Sequence, residues 1–261
     1  MDGVSKTLYI PLYGKAYVSQ RKLFLLDESA EAIWKKGGFP LKGKAKSKWL
    51  ACNMGMRAAV FDQWTKDMLE AYPGAVVLHL GCGLDSRVNR VAHPGNQWYD
   101  VDFPEVIARR QQYFSQTETY RMVGADVRQP QWLDGVSGGT AAIVVMEGLS
   151  MYLQMQELKT LLRDLKAHFA RVHVLMDTYT VFGAKATRYK NPINTVGVTQ
   201  VYGLDDPREL TEDTGFRFAA EHDMTPDSLI GELPHREQWF FRALFAGKTA
   251  KRIYRLYEYE A

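Results

Sequence analysis

"VVLHLGCGLDSR", residues 76–87, decides the fold: an apolar run interrupted only by His79 breaks into Gly-Cys-Gly and then into a turn carrying Asp85 and Arg87. A strand that ends at once in glycines is the strand-to-helix junction at which an α/β sheet offers bare backbone to a ligand, beyond the carboxyl ends of its strands. The rhythm continues downstream. Residues 97–101 (QWYDV), 120–123, 141–146 (AAIVVM) and 172–177 (VHVLMD) are short, apolar and β-rich, and helical patterns separate several of them. That alternation predicts a doubly wound, mostly parallel sheet with helices on both faces. Two further strand candidates, 217–221 and 252–259, fit an antiparallel pair closing one edge and bring the sheet to seven strands.

Ahead of this core the pattern is helical. Residues 27–36 and 57–71 (RAAVFDQWTKDMLEA) place apolar residues at three-to-four spacing, and Pro73 with Gly74 ends the second helix. The expectation is a single domain over residues 1–261, in which a helical cap (1–72) precedes a Rossmann-like core (75–261) with small edge insertions. A chain of 261 residues, 46% of them hydrophobic, suffices to bury one such core.

The net charge of +3 is spread along the chain except at residues 35–48, where six lysines are interleaved with glycines. Such a run reads as a solvated loop or an anion-steering rim, and it is no nucleic-acid signature. Cys52 and Cys82 sit in unlike contexts, and neither a signal peptide nor an apolar stretch of about 20 residues is visible. The expectation is a soluble cytoplasmic protein away from membranes and nucleic acid; the oligomeric state is not legible.

The turn itself narrows the ligand. The dinucleotide pattern G-x-G-x-x-G has Ser86 where its third glycine belongs, and Asp85 sits where a pyrophosphate would meet the first helical turn. Two like charges there would repel. A bound ribose still requires an acidic acceptor about 20 residues after the glycines. Asp100 and Asp102, in WYDVDFP, lie 19 residues after Gly81 and Gly83. Ribose without pyrophosphate, among acidic residues, points to S-adenosylmethionine. Its carboxylate requires a cation, and Arg57 offers a bidentate guanidinium, although a surface position for Arg57 fits the sequence equally. Adenine requires an acceptor and a backbone donor, which Asp126 and the amide of Val127 supply in VGADVRQPQW; a turn cap is the other reading of Asp126. Glu147, in VVMEGLSMYL, ends an apolar strand at the sheet's carboxyl edge, an odd place for a charge without a task.

Taken in order, TLYIPLYGKAY, MRAAVFD, LHLGCGLDSR, WYDVDFP, GADVRQPQW and MEGLSMYL resemble the motifs of the leucine carboxyl methyltransferase superfamily, and within it the bacterial O-methyltransferases of the polyketide-biosynthesis type, over about residues 5–180. The resemblance implies a class I methyltransferase fold that uses S-adenosyl-L-methionine, releases S-adenosyl-L-homocysteine and needs no metal. It implies that Gly81, Gly83 and Asp102 hold the cofactor, that Arg57 and Lys15 meet its carboxylate, and that Asp126 lies beside the adenine. The family's EG…YL signature falls on Glu147, Gly148, Tyr152 and Leu153. Asp100 stands where the family often has glutamate, a conservative departure.

A sulfonium already activates its methyl group, so the protein must mainly align an acceptor oxygen and exclude water. A carboxylate acceptor is ionised at neutral pH and needs no base, whereas a phenol benefits from one. No convincing base is visible: the six histidines are scattered, no G-x-S-x-G occurs, and Asp177 before Thr178 does not make a metal site. Tyr152 is the candidate for a catalytic role. Tyr9, Tyr13, Tyr152, Tyr179, Phe182 and Tyr189 are candidate walls for a flat or apolar small-molecule acceptor. A protein carboxyl terminus is the alternative acceptor, docked by Arg188 or Lys185. Two other classes stay open: a nicotinamide or flavin oxidoreductase, disfavoured by Ser86 and Asp85, and a non-catalytic cofactor-binding protein.

Overall fold

The computed structural model of the chain describes residues 8–187 and 200–261. Three helices lead: α1 (Tyr9–Gln20), α2 (Glu28–Gly37) and α3 (Lys48–Ala71). The Asp27 carboxylate accepts the Ala30 N–H at 2.8 Å and the Ser47 hydroxyl accepts the Leu50 N–H at 3.2 Å, so α2 and α3 each start on a side-chain cap. Helix α3 begins at Lys48, well before the expected residue 57, so Arg57 lies inside the helix and does not open it. Glycine weakens a helix on propensity alone, and Gly14 and Gly55 obscured α1 and the front of α3 for that reason. Packing explains both glycines. A Cβ on Gly14 would fall 2.6 Å from Met54 Cβ, and one on Gly55 would fall 2.7 Å from Val18 Cγ2. This close α1–α3 contact carries Lys15 and Arg57 to the same side of the core.

The core follows as β1 (Val76–Leu80), α4 (Arg87–Val91), β2 (Trp98–Asp102), α5 (Pro104–Arg110), β3 (Tyr120–Gly124), β4 (Ala141–Met146), α6 (Met155–His168), β5 (Arg171–Tyr179), α7 (Val181–Ala186), β6 (Arg217–His222), α8 (Asp227–Ile230), α9 (His235–Phe245), α10 (Gly247–Lys251) and β7 (Tyr254–Glu260). The strands form one seven-stranded sheet in the order β3-β2-β1-β4-β5-β7-β6. β1 to β5 pair in parallel, and β7 runs antiparallel to both β5 and β6. The expected strands are all present, with ends that differ by a residue or two, and the antiparallel pair closes the edge as read.

Strand pleating sorts the core into two layers. Val77, Ile143, Val145 and Leu175 pack with residues of α1, α2 and α3, including Leu12, Ile33 and Phe61. Val76, Leu78, Val144 and Met146 pack on the opposite face with Leu158, Leu161 and Leu165 of α6. The strand order reverses between β1 and β4, which opens a crevice at the carboxyl ends of the strands. No helix among the described residues is long and apolar enough to cross a membrane.

Candidate active site

A cavity of about 960 Å³ opens at that edge. Its floor is the loops after β1 to β4, its roof is α1 with the first half of α3, and its far wall comes from α9, α10 and the start of β7.

The turn after β1 is shaped by Gly81 (φ +68°) and Gly83 (φ +53°), both in the left-handed region that penalises a Cβ. The N–H groups of Gly81 and Cys82 donate to the Val101 carbonyl at 2.8 and 3.3 Å, and that of Asp85 to the Cys82 carbonyl at 3.0 Å. The Gly83 N–H donates to Asp102 Oδ2 at 2.8 Å. These four amides are therefore spent and unavailable to a diphosphate, which binds through free helix-start and loop amides.

Asp102 also accepts the Phe103 N–H on Oδ1 at 2.8 Å, and burial pushes its pKa up against those two bonds. Asp100 is a correction. It is fully buried and does not line the cavity. Its carboxylate accepts from Trp98 Nε1 at 2.9 Å, from the Tyr120 hydroxyl at 2.6 Å and from Arg110, and it faces His79 Nδ1 at 3.1 Å. Burial works against its charge, but Arg110 and His79 outweigh it and bring the pKa down to about 2. Both aspartates lie on one face of β2. Only Asp102, at the strand's last position, reaches the edge where the cavity begins.

Above the turn lies a buried ion network. Lys15 Nζ meets Asp85 Oδ2 at 3.1 Å and Glu147 Oε1 at 3.5 Å. Glu147 is shared further by Arg57 Nη2 at 3.1 Å and by Arg87. Arg87 and Arg90 also hold Asp62, at 2.7 and 2.6 Å, and Arg90 reaches Asp85 at 3.0 Å and Asp27. Burial opposes the charges on Asp85 and Glu147, yet Lys15 and the arginines hold both carboxyls below their usual range.

Arg57 is 4% exposed, so the surface reading does not hold. Its Nη1 donates to Asp177 Oδ2 at 2.8 Å and to the Tyr254 hydroxyl oxygen at 2.9 Å. Arg57 Nε is buried with no hydrogen-bond partner among the described residues. Burial raises the pKa of Asp177, with Arg57, Tyr254 and the Gly148 N–H pulling it back only in part.

Asp126 and Val127 line the cavity after β3. The Asp126 carboxylate also accepts the Arg128 N–H at 3.0 Å and the Arg128 Nε at 2.9 Å, so the turn-capping reading holds alongside its place in the wall. Gly148, Tyr152, Leu153 and Tyr179 line the cavity too.

Tyr9 and Tyr13 are corrections. The Tyr9 ring is buried 4.6 Å from that of Phe39, and Tyr13 packs 4.9 Å from Trp34; neither lines the cavity. They stand one helical turn apart on the α1 face turned toward α2, while Leu8, Pro11, Leu12 and Lys15 face the cleft. Phe182 is half exposed, and neither it nor Lys185 reaches the cavity. Arg188 and Tyr189 lie outside the described residues. Sequence reasoning missed Arg87, Arg90, Tyr254 and the apolar far wall of Leu244, Phe245 and Ile253. It weighed Asp177 only as a metal ligand, although that carboxylate, after the apolar residues of β5, gave much the same signal as Glu147 directly after β4. Among the described residues no group of three or more His, Cys, Asp or Glu side chains converges as a metal site.

The profile of the leucine carboxyl methyltransferase family matches residues 13–166. The chain is 31% identical, over 92% of its length and 90% of the relative's, to the tetracenomycin polyketide synthesis O-methyltransferase TcmP of Streptomyces glaucescens. It is 28% identical, over 80% of its length and 78% of the relative's, to the S-adenosyl-L-methionine-dependent methyltransferase dpfgK of Gibberella zeae. Its fold is similar to that of magnesium protoporphyrin IX methyltransferase from Synechocystis PCC 6803 with bound SAH, with a TM-score of 0.54 at 14% identity, over 90% of this chain and 99% of that one. A Rossmann-like sheet with its cleft at the switch point, on a chain of this kinship, defines an S-adenosylmethionine-dependent methyltransferase. The chain belongs to the leucine carboxyl methyltransferase family.

Proposed function

We propose that the protein transfers the methyl group of S-adenosylmethionine to a carboxylate or hydroxyl oxygen of a small, flat, largely apolar acceptor of the polyketide or related secondary-metabolite type. The observation that carries this reading is the two-ended cavity. One end holds the glycine turn and the Lys15, Arg57, Asp85 and Glu147 members of the ion network; the other is walled by Leu50, Met54, Tyr152, Tyr179, Leu244, Phe245 and Ile253. The likeness to a tetracenomycin O-methyltransferase supports the same acceptor class.

The charged end fits the cofactor on the chemistry of its donors. Asp102, oriented by two backbone N–H bonds, retains lone pairs for the ribose hydroxyls. Asp126 and the Val127 amide serve the adenine. Lys15 and Arg57 meet the methionine carboxylate, and the unpartnered Arg57 Nε is a donor waiting for such an acceptor. Glu147 and Asp85 face the ammonium. When bound, the cofactor supplies a methyl group on a positively charged sulfur. Gly81 and Gly83 let the ligand lie against backbone, and the apolar far wall with Tyr152 orients the acceptor and excludes water.

The test offers deuteromethyl-labelled S-adenosylmethionine with 1,8-dihydroxyanthraquinone, anthraquinone-2-carboxylate and a peptide ending in free leucine, read by mass spectrometry. A labelled aromatic product is expected; lability to mild base marks a methyl ester and resistance marks an ether. Labelling of the peptide alone would overturn the small-molecule reading in favour of a protein carboxyl terminus. No labelling of any acceptor, with cofactor binding intact, would favour a non-catalytic binding protein.

A further inference from the structure

We infer that Tyr254 and Asp177 are positioning residues for Arg57, and that through them β7 completes the anion-binding edge of the cofactor site. The inference rests on the proposed role of Arg57 and names what orients it.

Arg57 Nη1 donates to Asp177 Oδ2 at 2.8 Å and to the Tyr254 hydroxyl oxygen at 2.9 Å, while Tyr254 donates its own hydroxyl hydrogen to the same Oδ2 at 2.6 Å. The three groups form a closed ring of hydrogen bonds. Asp177 is itself pinned from the other side, because the Gly148 N–H donates to its Oδ1 at 2.7 Å. A single ion pair would leave the guanidinium free to swivel about Nη1; the ring fixes its plane.

Nη1 is engaged by this ring, Nη2 forms an ion pair with Glu147 at 3.1 Å, and Nε has no hydrogen-bond partner among the described residues. The donors that remain belong to Nε and Nη2, the two nitrogens that share one edge of the guanidinium and form the planar fork a carboxylate meets with both oxygens. An arginine placed only to neutralise Asp177 and Glu147 would not bury an unpaired N–H, which is costly. The ring therefore reads as a device that presents a fork.

Asp177 and Tyr254 lie beyond residues 13–166, the part of the chain that the family profile matches. Their side chains hydrogen-bond diagonally between β5 and β7, where Asp177 is in register with Leu256 and Tyr179 with Tyr254, and the Tyr179 and Tyr254 rings meet edge-on at 4.8 Å. Tyr254 and Tyr179 also line the cavity, so one residue joins the acceptor wall to the cofactor anchor.

The test is calorimetric titration of wild type and Tyr254→Phe with S-adenosylhomocysteine and with methylthioadenosine, which lacks the amino-acid end. Phenylalanine keeps the ring and removes the hydroxyl. S-adenosylhomocysteine should bind about tenfold more weakly to the variant, the loss of one hydrogen bond to a charged group, and methylthioadenosine should bind as it does to wild type. In an Arg57→Lys background Tyr254→Phe should cost nothing further, because lysine has no planar edge to orient. A second readout is the Arg57 Nε–H proton resonance, identified by its loss in Arg57→Lys, which should move on adding S-adenosylhomocysteine and stay still with methylthioadenosine. Unchanged binding of S-adenosylhomocysteine to Tyr254→Phe, equal weakening of both ligands, or additive losses in the double variant would overturn the inference. Wild type that bound neither ligand would instead remove the cofactor reading on which it rests.

Discussion

The Asp102 carboxylate accepts the backbone N–H of Gly83 at 2.8 Å, so the last residue of β2 and the turn after β1 behave as one unit. Asp102→Ala would leave the Gly83 and Phe103 N–H groups without their acceptor and remove the charged partner of the ribose. S-adenosylhomocysteine binding should fall about tenfold or more, a loss of 1.5 to 3 kcal/mol for hydrogen bonds to a charged group. Asp100→Asn should instead lower the melting temperature while the folded protein keeps its affinity. Titration calorimetry and thermal melts on both variants separate the two roles; an affinity loss at Asp100 as large as that at Asp102 would reverse them.

Gly83 carries φ +53°, and a Cβ built there would lie 3.4 Å from Leu8 Cβ, an ordinary contact. Gly83→Val should therefore suffer mainly from the left-handed backbone, at about 1–2 kcal/mol, and from side-chain atoms entering the ligand's wall. Gly83→Asn tolerates that backbone better, so it should recover stability but not cofactor binding. Binding that recovered together with stability would show that the wall itself does not touch the ligand.

Glu147 is shared by Lys15, Arg57 and Arg87. Glu147→Gln leaves three buried cations without their common anion and should cost about 3–5 kcal/mol in urea unfolding, because removing one partner exposes the full burial penalty of the others. A loss below about 1 kcal/mol would mean the network is wetter than its burial indicates.

Asp100 sets an acid limit. Its pKa lies at about 2, below the ordinary 3.8. A depressed carboxylate contributes stability that is present above the unfolded value and lost as pH falls through the folded one, so the loss runs from about pH 4 to pH 2 and amounts to about 2 kcal/mol. Asp85 and Glu147, also depressed, act in the same direction; Asp102 and Asp177, raised, act against it. Urea denaturation at a series of pH values should show a shallower acid slope for Asp100→Asn than for wild type, and an equal slope would contradict the assignment.

The sheet was legible because strand alternation and glycine-bounded turns are local signals. Gly81, Gly83, Asp102, Asp126 and Glu147 could be placed at its edge because each ends a strand or follows one within three residues. Asp100 could not be told from Asp102, since the two share a strand face and differ only in distance from the edge. Tyr9 and Tyr13 were misplaced because Pro11 and Gly14 hid α1, and without a helix there is no face on which to sort them. The ring around Arg57 joins residues 120 and 197 positions away in the sequence, a distance no local pattern bridges.

The most direct measurement is a crystal structure with S-adenosylhomocysteine bound. The expected result has the ribose hydroxyls on Asp102, the adenine beside Asp126 and the Val127 amide, and the carboxylate on the Nε–Nη2 edge of Arg57 with Lys15 nearby. A ligand lying outside the cleft, or bound with its carboxylate away from Arg57 and its ribose away from Asp102, would contradict the proposed site.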